Sequence, residues 1–416
     1  MVKGKDMKYS EDEVMQFVIE DDVKFIRLAF CDIFGKRKNI AILASELPRA
    51  FQYGIAIDGS SISGFAGVEK SDLLLFPHAE TITELPWRPD TGKVVRMFCD
   101  VRTPEGEPFV HDTRQLLSRA VADAAAAGVE FMFGPEMEFY LFKTDAEGNA
   151  TKTPYDRAGY MDIAPLDKGE NVRREICLTL ERMGISPESS HHEMGPGQNE
   201  IDFRYADALT AADNAVTFTS VVRTVAAING LVADFSPKPL PGEAGNGAHV
   251  NFSVRALGAG EDAARTRSLT AAAAAGIMRR IRDITLFLNP TPQSYERLGE
   301  DKAPTYVSWS AQNRSQLIRI PAAAGPYERA ELRSPDGTAN PYVAFACLIY
   351  AGLEGIACGL ELPAPADFDM YSASEDVLAA YERLPRTLEE AASAARASTF
   401  VADCLPASLV AAYCNR

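Results

Sequence analysis

The sequence predicts an α+β protein in which a small β-rich N-terminal domain precedes a larger domain of helices and strands. Before residue 104 the apolar segments are short and rich in β-branched and aromatic residues, which is typical of strands. After that point, long helical segments alternate with short strand-like ones. A connector rich in proline and glycine, residues 103–109, separates the two regions. We therefore expect domains at residues 1–104 and 105–416.

The N-terminal domain begins with a predicted pair of strands. Residues 23–42 are apolar, β-branched and aromatic on either side of a turn at Gly35. Two further segments, residues 73–77 and 93–101, have the same character. Together these segments are enough to build a small sheet.

The C-terminal domain is predicted to contain several long helices and at least two strands. The first helix starts at the cap formed by Asp112 and Thr113 and stops at Gly128. The other predicted helices are residues 171–184, 207–230, 264–288, 340–359 and an alanine-rich tail, and the strands are residues 129–142 and 247–254. Residues 340–359 are very apolar, but Glu354 and several glycines interrupt them. They are therefore predicted to form a buried helix and not a membrane span.

The charge balance excludes two classes of partner. The chain has 42 basic and 58 acidic residues, which gives a formal net charge of −16. A protein that binds nucleic acid or an anionic membrane needs a basic patch, so neither partner is expected. A protein this acidic that handles phosphate groups must gather its arginines locally or use metal cations.

The cysteines and the N-terminal residues indicate a cytoplasmic protein. Seven cysteines are scattered without a C-x-x-C pair, which disfavours structural zinc and a disulfide framework and favours a reducing compartment. The N-terminal residues contain no apolar segment of the kind found in secretory signals. We therefore expect a cytoplasmic location.

Two glutamates of the segment GPEMEFYLF are candidates for a buried acidic site. Glu136 and Glu138 are two residues apart, so on a strand both carboxylates point to one face. A lone pair of this kind is more often a solvated edge. Here Tyr140 and Phe142 continue the same face, which favours buried carboxylates that need a cation.

Residues 189–203, SSHHEMGPGQNEIDF, contain a second acidic pair. Glu193 and Glu200 flank a turn with two glycines around a proline, which lets the two acids approach one point. A solvated loop is the alternative, and this segment alone does not decide between them. Ile201 and Phe203 are typical of a core, and acids buried beside a core need a partner or a metal.

The segment GAHVNFSV places three polar residues on one face of a predicted strand. His249, Asn251 and Ser253 alternate with apolar residues. A single histidine on a strand is more often a satisfied core residue than a ligand. Its two polar neighbours on the same face favour a site.

Two later segments supply cations that match these acids. Arg329, Glu331 and Arg333 of ERAELRSPD share one strand face, for which a simple ion-pair ladder is the alternative. Arg314 and Arg319 of NRSQLIRIP lie shortly before them. Guanidinium groups suit phosphoryl and carboxylate oxygens, so the four arginines fit a negatively charged transition state.

The candidate ligands, five glutamates and one histidine without cysteine, suit Mg²⁺ or Mn²⁺ and do not suit structural zinc. Two such ions side by side would use the carboxylates and hold a phosphate between them. The glycine-rich residues 242–247 match neither G-x-G-x-x-G nor a Walker A sequence. If the protein binds ATP, it uses neither of these loops.

Several segments, in order, resemble the bacterial type I glutamine synthetase family over nearly the whole chain. They are DGSSISGF, GPEMEF, GYMDIAPLD, SHHEMGPGQNEIDF, SPKPLPGEAGNGAHVNFS, NPTPQSYERL, NRSQLIRIP and RAELRSPDGTANPY. The resemblance implies a β-grasp-like N-terminal domain. It also implies a large catalytic domain with a curved antiparallel sheet, a half-barrel, backed by helices.

The resemblance also implies roles for individual residues. One Mg²⁺ or Mn²⁺ ion would bind Glu138, Glu193 and Glu200, and the second would bind Glu136, His249 and Glu331. Nucleotide contacts would come from Glu188, Ser253, Arg319 and Arg329. Substrate contacts would come from Ser61, Tyr160, Gly245, Arg297, Arg314 and Arg333. Asp58, Arg314 and Arg333 would be catalytic, with Asp58 helping to bind ammonium.

The chemistry implied by the resemblance is ATP-dependent phosphorylation of the glutamate γ-carboxylate, followed by displacement of phosphate by an amine. The implied assembly is a homo-oligomer, either a hexameric ring or a double-ring dodecamer. In such a ring the loop with Asp58 and Ser61 completes the site of a neighbouring subunit.

The chain departs from the family pattern most clearly at residues 299–304, GEDKAP. This segment is one residue shorter than usual, and Lys302 stands where the family has a glutamate that takes a proton from ammonium. Glu300 or Asp301 could substitute after a shift. Ala244 also stands where the family usually has an asparagine.

Three functions stay open: a glutamine synthetase, a γ-glutamyl ligase for another amine or acid, and a catalytically weak or silent paralogue.

Overall fold

The computed structural model describes residues 9–88, 91–258, 262–321 and 328–416. Backbone contacts divide the chain into two compact units. The first comprises Met1–Leu116 and Leu178–Ile185, and the second comprises Leu117–Cys177 and Ser186–Arg416. The boundary predicted between residues 104 and 105 stays a prediction, because neither unit is one continuous segment.

The first unit is built around a mixed sheet of six strands. Its elements are α1 Glu11–Glu20, β1 Val23–Cys31, β2 Arg37–Leu43, α2 Leu47–Tyr53, β3 Ile55–Asp58, β4 Asp72–Pro77, β5 Thr83–Glu84 and β6 Lys93–Arg102. The strand order is β2-β1-β6-β4-β3, with β5 beside β6. Strands β1 and β6 are parallel, and the other pairs are antiparallel.

The remaining elements start with α3 and lie in the second unit, except for the first residues of α3 and the last residues of α4, which belong to the first unit. They are α3 Thr113–Ala126, β7 Val129–Thr144, β8 Ala150–Pro154, α4 Glu170–Arg182, β9 Pro187–His192, β10 Gln198–Phe203, β11 Ala206–Asp207, α5 Ala208–Ile228, β12 Leu231–Asp234, β13 Ala248–Ala256, α6 Ala263–Leu288, α7 Pro292–Arg297, β14 Trp309–Ser310, β15 Ile318–Arg319, β16 Ala330–Leu332, α8 Pro341–Ala357, α9 Glu375–Leu378, α10 Leu388–Ala397, α11 Thr399–Cys404 and α12 Ala407–Cys414.

Ten strands of the second unit form one curved sheet, a half-barrel. Their order is β14-β15-β16-β13-β7-β10-β9, and β8, β11 and β12 also pair with the long central strand β7. Every pair is antiparallel except β14 with β15. The curved antiparallel sheet predicted for this domain is therefore confirmed.

Helices α5, α6 and α8 cover one face of this sheet. The ring of Phe133 on β7 stacks on Phe345 of α8, with 4.5 Å between centroids. Helices α6 and α8 cross at two glycines. A Cβ atom at Gly276 would lie 2.2 Å from the carbonyl oxygen of Ala351, and one at Gly355 would be as crowded. Only glycine permits helix axes this close, so α6 and α8 form a rigid support behind the sheet.

The α+β class and the helices predicted in the second unit are confirmed. The predicted helix ending at Gly128 is α3, and the interrupted apolar helix is α8, which is largely buried. Among the described residues, no helix is both long enough and apolar enough to span a membrane.

Candidate active site

The side chains of the central strand β7 point alternately toward the core and toward the candidate site. Phe131, Phe133 and Phe139 point toward the helices and are fully buried. Glu136 and Glu138 lie on the opposite face, as the spacing of two predicts. The sheet thus places two carboxylates on the face away from the helices.

Strand register brings the other predicted acids to this point. His249 on β13 is directly opposite Glu136, and Glu200 on β10 is directly opposite Glu138. On the far side of β13, Glu331 on β16 is opposite Asn251. Residues directly opposite on neighbouring strands have Cβ atoms about 5 Å apart, so the side chains converge.

One group of potential ligands consists of Glu136, His249 and Glu331, whose ligand atoms all lie within 4.8 Å of one another. His249 Nδ1 is 3.6 Å from Glu136 Oε2 and 3.7 Å from Glu331 Oε1. The Asn251 amide donates a 2.7 Å hydrogen bond to Glu136 Oε1, which fixes that carboxylate. These are the three residues predicted to hold one cation.

Glu331 is buried and lies between two cations. Arg319 donates to one of its carboxylate oxygens at 2.8 Å, and Arg333 donates to the other. A carboxylate this buried is costly unless it is paired. The two arginines therefore fix Glu331 in place and are themselves fixed by it.

A second group of potential ligands consists of His191, Glu193 and Glu200, and a third consists of Glu136, Glu200 and Asp202. Glu193 and Glu200 were predicted, but His191 and Asp202 were missed. Asp202 is two positions from Glu200 on β10, and His191 of β9 is two positions from Glu193, which directly follows that strand. The period of two that identified Glu136 with Glu138 would also have found them.

Glu138, predicted to bind a cation with Glu193 and Glu200, lies beside these groups. Its carboxylate accepts hydrogen bonds from the Gln198 side chain at 3.1 Å and from the Gly247 backbone at 2.8 Å. It lines the same cavity as Glu193 and Glu200. Its role as a ligand stays a prediction.

The acids on this surface repel one another. Burial, and then repulsion from Glu138, raises the pKa of Glu200 and of Glu193. Burial and the nearby Glu136 raise the pKa of Asp202. Burial also opposes ionisation of Glu136, but hydrogen bonds from His249 and Asn251 outweigh it and lower the pKa of Glu136 to about 2. The surface holds more negative charge than its own cations neutralise, as expected for divalent metal ligands.

Two cavities border this acidic surface and share Glu136, Asp202 and Arg329. The first, of about 260 Å³, is lined by the predicted nucleotide residues Glu188, Ser253 and Arg329. Arg329 donates a 2.8 Å hydrogen bond to Asn251 Oδ1. The fourth predicted nucleotide residue, Arg319, lines the second cavity.

The second cavity, of about 360 Å³, is lined by all six predicted metal ligands except Glu331 and by the predicted substrate residues Tyr160, Gly245, Arg297, Arg314 and Arg333. Arg297 is buried and donates to the backbone carbonyl oxygens of Ser334 and Arg333 at 2.8 and 3.2 Å. Gly245 lies against Arg297, where a Cβ atom would be 2.9 Å from the arginine Cγ. The Arg297 guanidinium is therefore held rigidly in the cavity wall.

Residues 299–303, which we name the flap, form part of the wall of the second cavity. Glu300, Asp301, Lys302 and Ala303 all line it. The Lys302 ammonium lies 5.7 Å from the centroid of the Tyr160 ring. Glu300 forms an ion pair with Lys238 at 2.6 Å, so its carboxylate is not free to accept a proton in this structure.

Asp58 and Ser61 lie in the first compact unit, at the end of β3 and in the turn that follows. Neither is among the described residues that line the two cavities. Hydrogen bonds from the Ser60 side chain and backbone, at 2.6 and 2.9 Å, lower the pKa of Asp58. The predicted roles of Asp58 and Ser61 stay predictions.

Comparisons with known proteins agree with this arrangement. A family model described as the glutamine synthetase catalytic domain matches residues 110–416, and one described as the glutamine synthetase beta-Grasp domain matches residues 22–104. The glutamine synthetase of Clostridium saccharobutylicum is 46% identical over 392 residues, which cover 92% of this chain and 88% of that protein. That of Methanosarcina mazei is 45% identical over 413 residues, 97% of this chain and 92% of that protein.

A solved structure titled as a complex of GmaS with ADP has the same fold. It is 30% identical, with a TM-score of 0.86, and the match covers 97% of this chain and 94% of that one. The expectation of a β-grasp N-terminal domain followed by a catalytic half-barrel is thereby confirmed.

Proposed function

The chain belongs to the glutamine synthetase family, whose members are ATP-dependent ligases, and we propose that it joins ammonium to the γ-carboxylate of glutamate to form glutamine. The observation that carries the proposal is the convergence of carboxylates, one histidine and four arginines on a single surface between two cavities. This combination suits transfer of a phosphoryl group between two anions, because it supplies both metal ligands and guanidinium groups.

The ligand set fits two Mg²⁺ or Mn²⁺ ions. Glu136, His249 and Glu331 would hold one, and Glu193 and Glu200, with Glu138, would hold the other. These donors are mostly hard oxygens, and the raised pKa of Glu200 indicates a need for positive charge. When bound, the ions would neutralise the phosphate oxygens during transfer.

The arginines would orient the reacting groups. Glu331 holds Arg319 and Arg333 in fixed positions, and Asn251 holds Arg329. Charges fixed before the reaction stabilise a transition state without reorganising during it, which is the main source of rate in phosphoryl transfer. We assign Arg314 and Arg333 to the transferred phosphoryl group and Arg329 to the nucleotide phosphates.

The glutamate substrate would bind in the second cavity. The rigid Arg297, with Gly245 beside it, fits the substrate α-carboxylate. The γ-carboxylate would attack the terminal phosphorus of ATP, with ADP as the leaving group. The amine nitrogen would then attack the acyl carbon, phosphate would leave, and the nitrogen would lose a proton.

The part of the second cavity that the flap lines supports a second candidate function, a γ-glutamyl ligase for another amine. Lys302 lies there beside Tyr160, and an ammonium side chain neither attracts an ammonium ion nor accepts a proton. Glu300 could have replaced the missing proton acceptor, but its carboxylate is paired with Lys238. An amine that is neutral in solution would be less affected by these features.

We propose that the functional unit is a closed homo-oligomeric ring, hexameric or double-ring dodecameric. The roles assigned to Asp58 in ammonium binding and to Ser61 in substrate binding require a neighbouring subunit in such a ring. Head-to-tail contacts of this kind close only at a fixed number of subunits.

The decisive experiment is an assay of phosphate release with ATP, Mg²⁺ or Mn²⁺, glutamate and a panel of amines that includes ammonium. Products are identified by mass spectrometry. We expect glutamine from ammonium. If only another amine gives an amide, the second candidate is correct. If no amine gives an amide and glutamate does not stimulate ATP hydrolysis, both candidates are wrong.

A further inference from the structure

Lys238 is a buried lysine that forms ion pairs with two residues of the flap. It lies in the loop between β12 and β13 and its side chain is 6% exposed. Its ammonium is 2.6 Å from Glu300 Oε2 and 3.6 Å from Asp301 Oδ2. Both partners are on the flap, and their side chains are 59% and 40% exposed. A buried ammonium requires an anion, so Lys238 is a buried cation that binds both flap acids.

The flap itself has a conformation that needs support. Asp301 and Lys302 have φ angles of 46° and 69°, in the left-handed region that residues other than glycine rarely adopt. Such strain persists only where surrounding contacts impose it. Two backbone hydrogen bonds, Gly299 N to Ala303 O at 3.1 Å and Ala303 N to Glu300 O at 2.8 Å, close the turn.

Among the described residues, Tyr371 and Lys238 hold this closed turn to the rest of the second unit by a hydrogen bond and by ion pairs. Tyr371 donates a 2.7 Å hydrogen bond to the carbonyl oxygen of Ala303, at the end of the flap. Lys238 binds the other side through Glu300 and Asp301. Of these two, only the Lys238 contact involves the strained half of the turn.

The loop that carries Lys238 also reaches the acidic surface. Further along this loop, the carbonyl oxygen of Gly245 and the side chain of Asn246 accept hydrogen bonds from Gln198 at 3.1 and 3.2 Å. Gln198 also donates to Glu138. One loop therefore fixes the flap at one end and a carboxylate of the site at the other.

We propose that Lys238 is a positioning residue that holds the flap over the second cavity, so that water is excluded while the acyl phosphate waits for the amine. The ion pairs also occupy the carboxylates of Glu300 and Asp301, which line the cavity, and leave Lys302 as the flap side chain beside Tyr160. The inference rests on the proposed function, because it assigns a water-sensitive intermediate to this cavity.

The test compares Lys238→Met, Lys238→Arg and a control, Lys152→Met, in the full-length protein. Lys152 forms an exposed ion pair with Asp234 at 2.8 Å in the same unit, without contact to the flap. With glutamate, ATP and the amine that wild type uses, we measure amide formed per ADP formed. Lys238→Met should lower the rate of amide formation roughly tenfold to a hundredfold, since a small misplacement costs that much.

Hydrolysis of ATP should fall much less than amide formation in Lys238→Met, so that the ratio of amide to ADP drops. Lys238→Arg should restore most of the ratio, and Lys152→Met should keep it. If Lys238→Met loses both activities in proportion, the lysine is merely structural and the proposal is wrong.

A second measurement does not depend on activity. Hydrogen–deuterium exchange of the peptide spanning the flap is followed in the ligand-free protein. Exchange should be faster in Lys238→Met than in wild type, with other peptides unchanged. Unchanged exchange would overturn the proposal even if the assay of amide formation showed the proposed function itself to be wrong.

Discussion

His249 and Glu136 are directly opposite each other on neighbouring strands, with 3.6 Å between the imidazole Nδ1 and a carboxylate oxygen. The pair is formed by strand register alone, since β13 and β7 are far apart in sequence. Glu136 also belongs to the group that contains Glu200 and Asp202. It therefore belongs to two of the three ligand groups found among the described residues, and its removal should affect both.

Substitution Glu136→Gln should weaken Mn²⁺ binding by about 10- to 100-fold, because a ligand charge is lost while the hydrogen bond with Asn251 can be retained. Isothermal titration calorimetry measures this. Glu130→Gln is the matched control, since Glu130 is on the same strand but pairs with Arg255 at 2.6 Å. Unchanged affinity in Glu136→Gln would show that the group does not bind the metal.

The same titration resolves the role of Glu138. If Glu138 is a ligand with Glu193 and Glu200, Glu138→Ala should remove or strongly weaken one Mn²⁺ site. Its observed partners are Gln198 and Gly247. Two Mn²⁺ sites of wild-type affinity in Glu138→Ala would limit this carboxylate to orienting its neighbours.

Substitution Lys302→Glu should raise ammonium-dependent synthesis at neutral pH. General base assistance is worth roughly 10²- to 10⁴-fold, and the wild-type flap offers a cation beside Tyr160 in its place. We expect the slow wild-type rate to rise with pH, as free ammonia becomes more abundant. Initial rates from pH 6.5 to 9 measure both effects. Lys302→Gln, which only removes the cation, is the control. A wild-type rate that is high at neutral pH and unchanged in Lys302→Glu contradicts this prediction.

Mixed oligomers test whether neighbouring subunits share a site. Asp58→Ala and Arg333→Gln should each be inactive, but co-expression with two different tags should restore activity in doubly purified oligomers. Random mixing in a ring gives roughly a quarter of sites with both wild-type residues. Oligomers of Asp58→Ala carrying both tags are the control. No recovery, or a fully active monomer by light scattering, would refute the shared site.

The first unit should lose stability as the pH rises because of His78. Burial opposes the imidazolium, but hydrogen bonds with Asp100 and Glu80 outweigh burial and repulsion by Arg114, and raise the pKa of His78 to about 9. The pKa of His78 in the folded protein therefore exceeds its ordinary value of 6.5. The stabilisation is therefore complete below pH 6.5 and disappears as the pH rises through 9.

Urea unfolding of wild type and His78→Gln between pH 6 and 9.5 measures this effect. The difference in free energy of unfolding should be about 1–3 kcal/mol at pH 6 and should shrink toward pH 9.5. His111→Gln is the control, since burial lowers the pKa of His111 and no loss in this window is expected from it. A difference that does not vary with pH would contradict the prediction.

Local patterns in the sequence were sufficient for much of the site. The spacing of two in GPEMEF placed Glu136 and Glu138 on one face of β7, and the alternation in GAHVNFSV did the same for His249. These inferences succeed because side-chain direction along a strand depends only on the local backbone. The same rule was not extended to His191 and Asp202, which were missed for that reason.

The pairing of strands, by contrast, was decided by the tertiary structure. No local signal states that His249 lies opposite Glu136 or that Glu331 lies between Arg319 and Arg333, because register is set by packing of the whole sheet on its helices. The ion pair of Lys238 with Glu300 was equally hidden, since both residues lie in loops. The sequence by itself determined the class, the strand faces and the ligand types. Only the folded sheet decided which of those ligands meet, because that depends on contacts between residues distant in the chain.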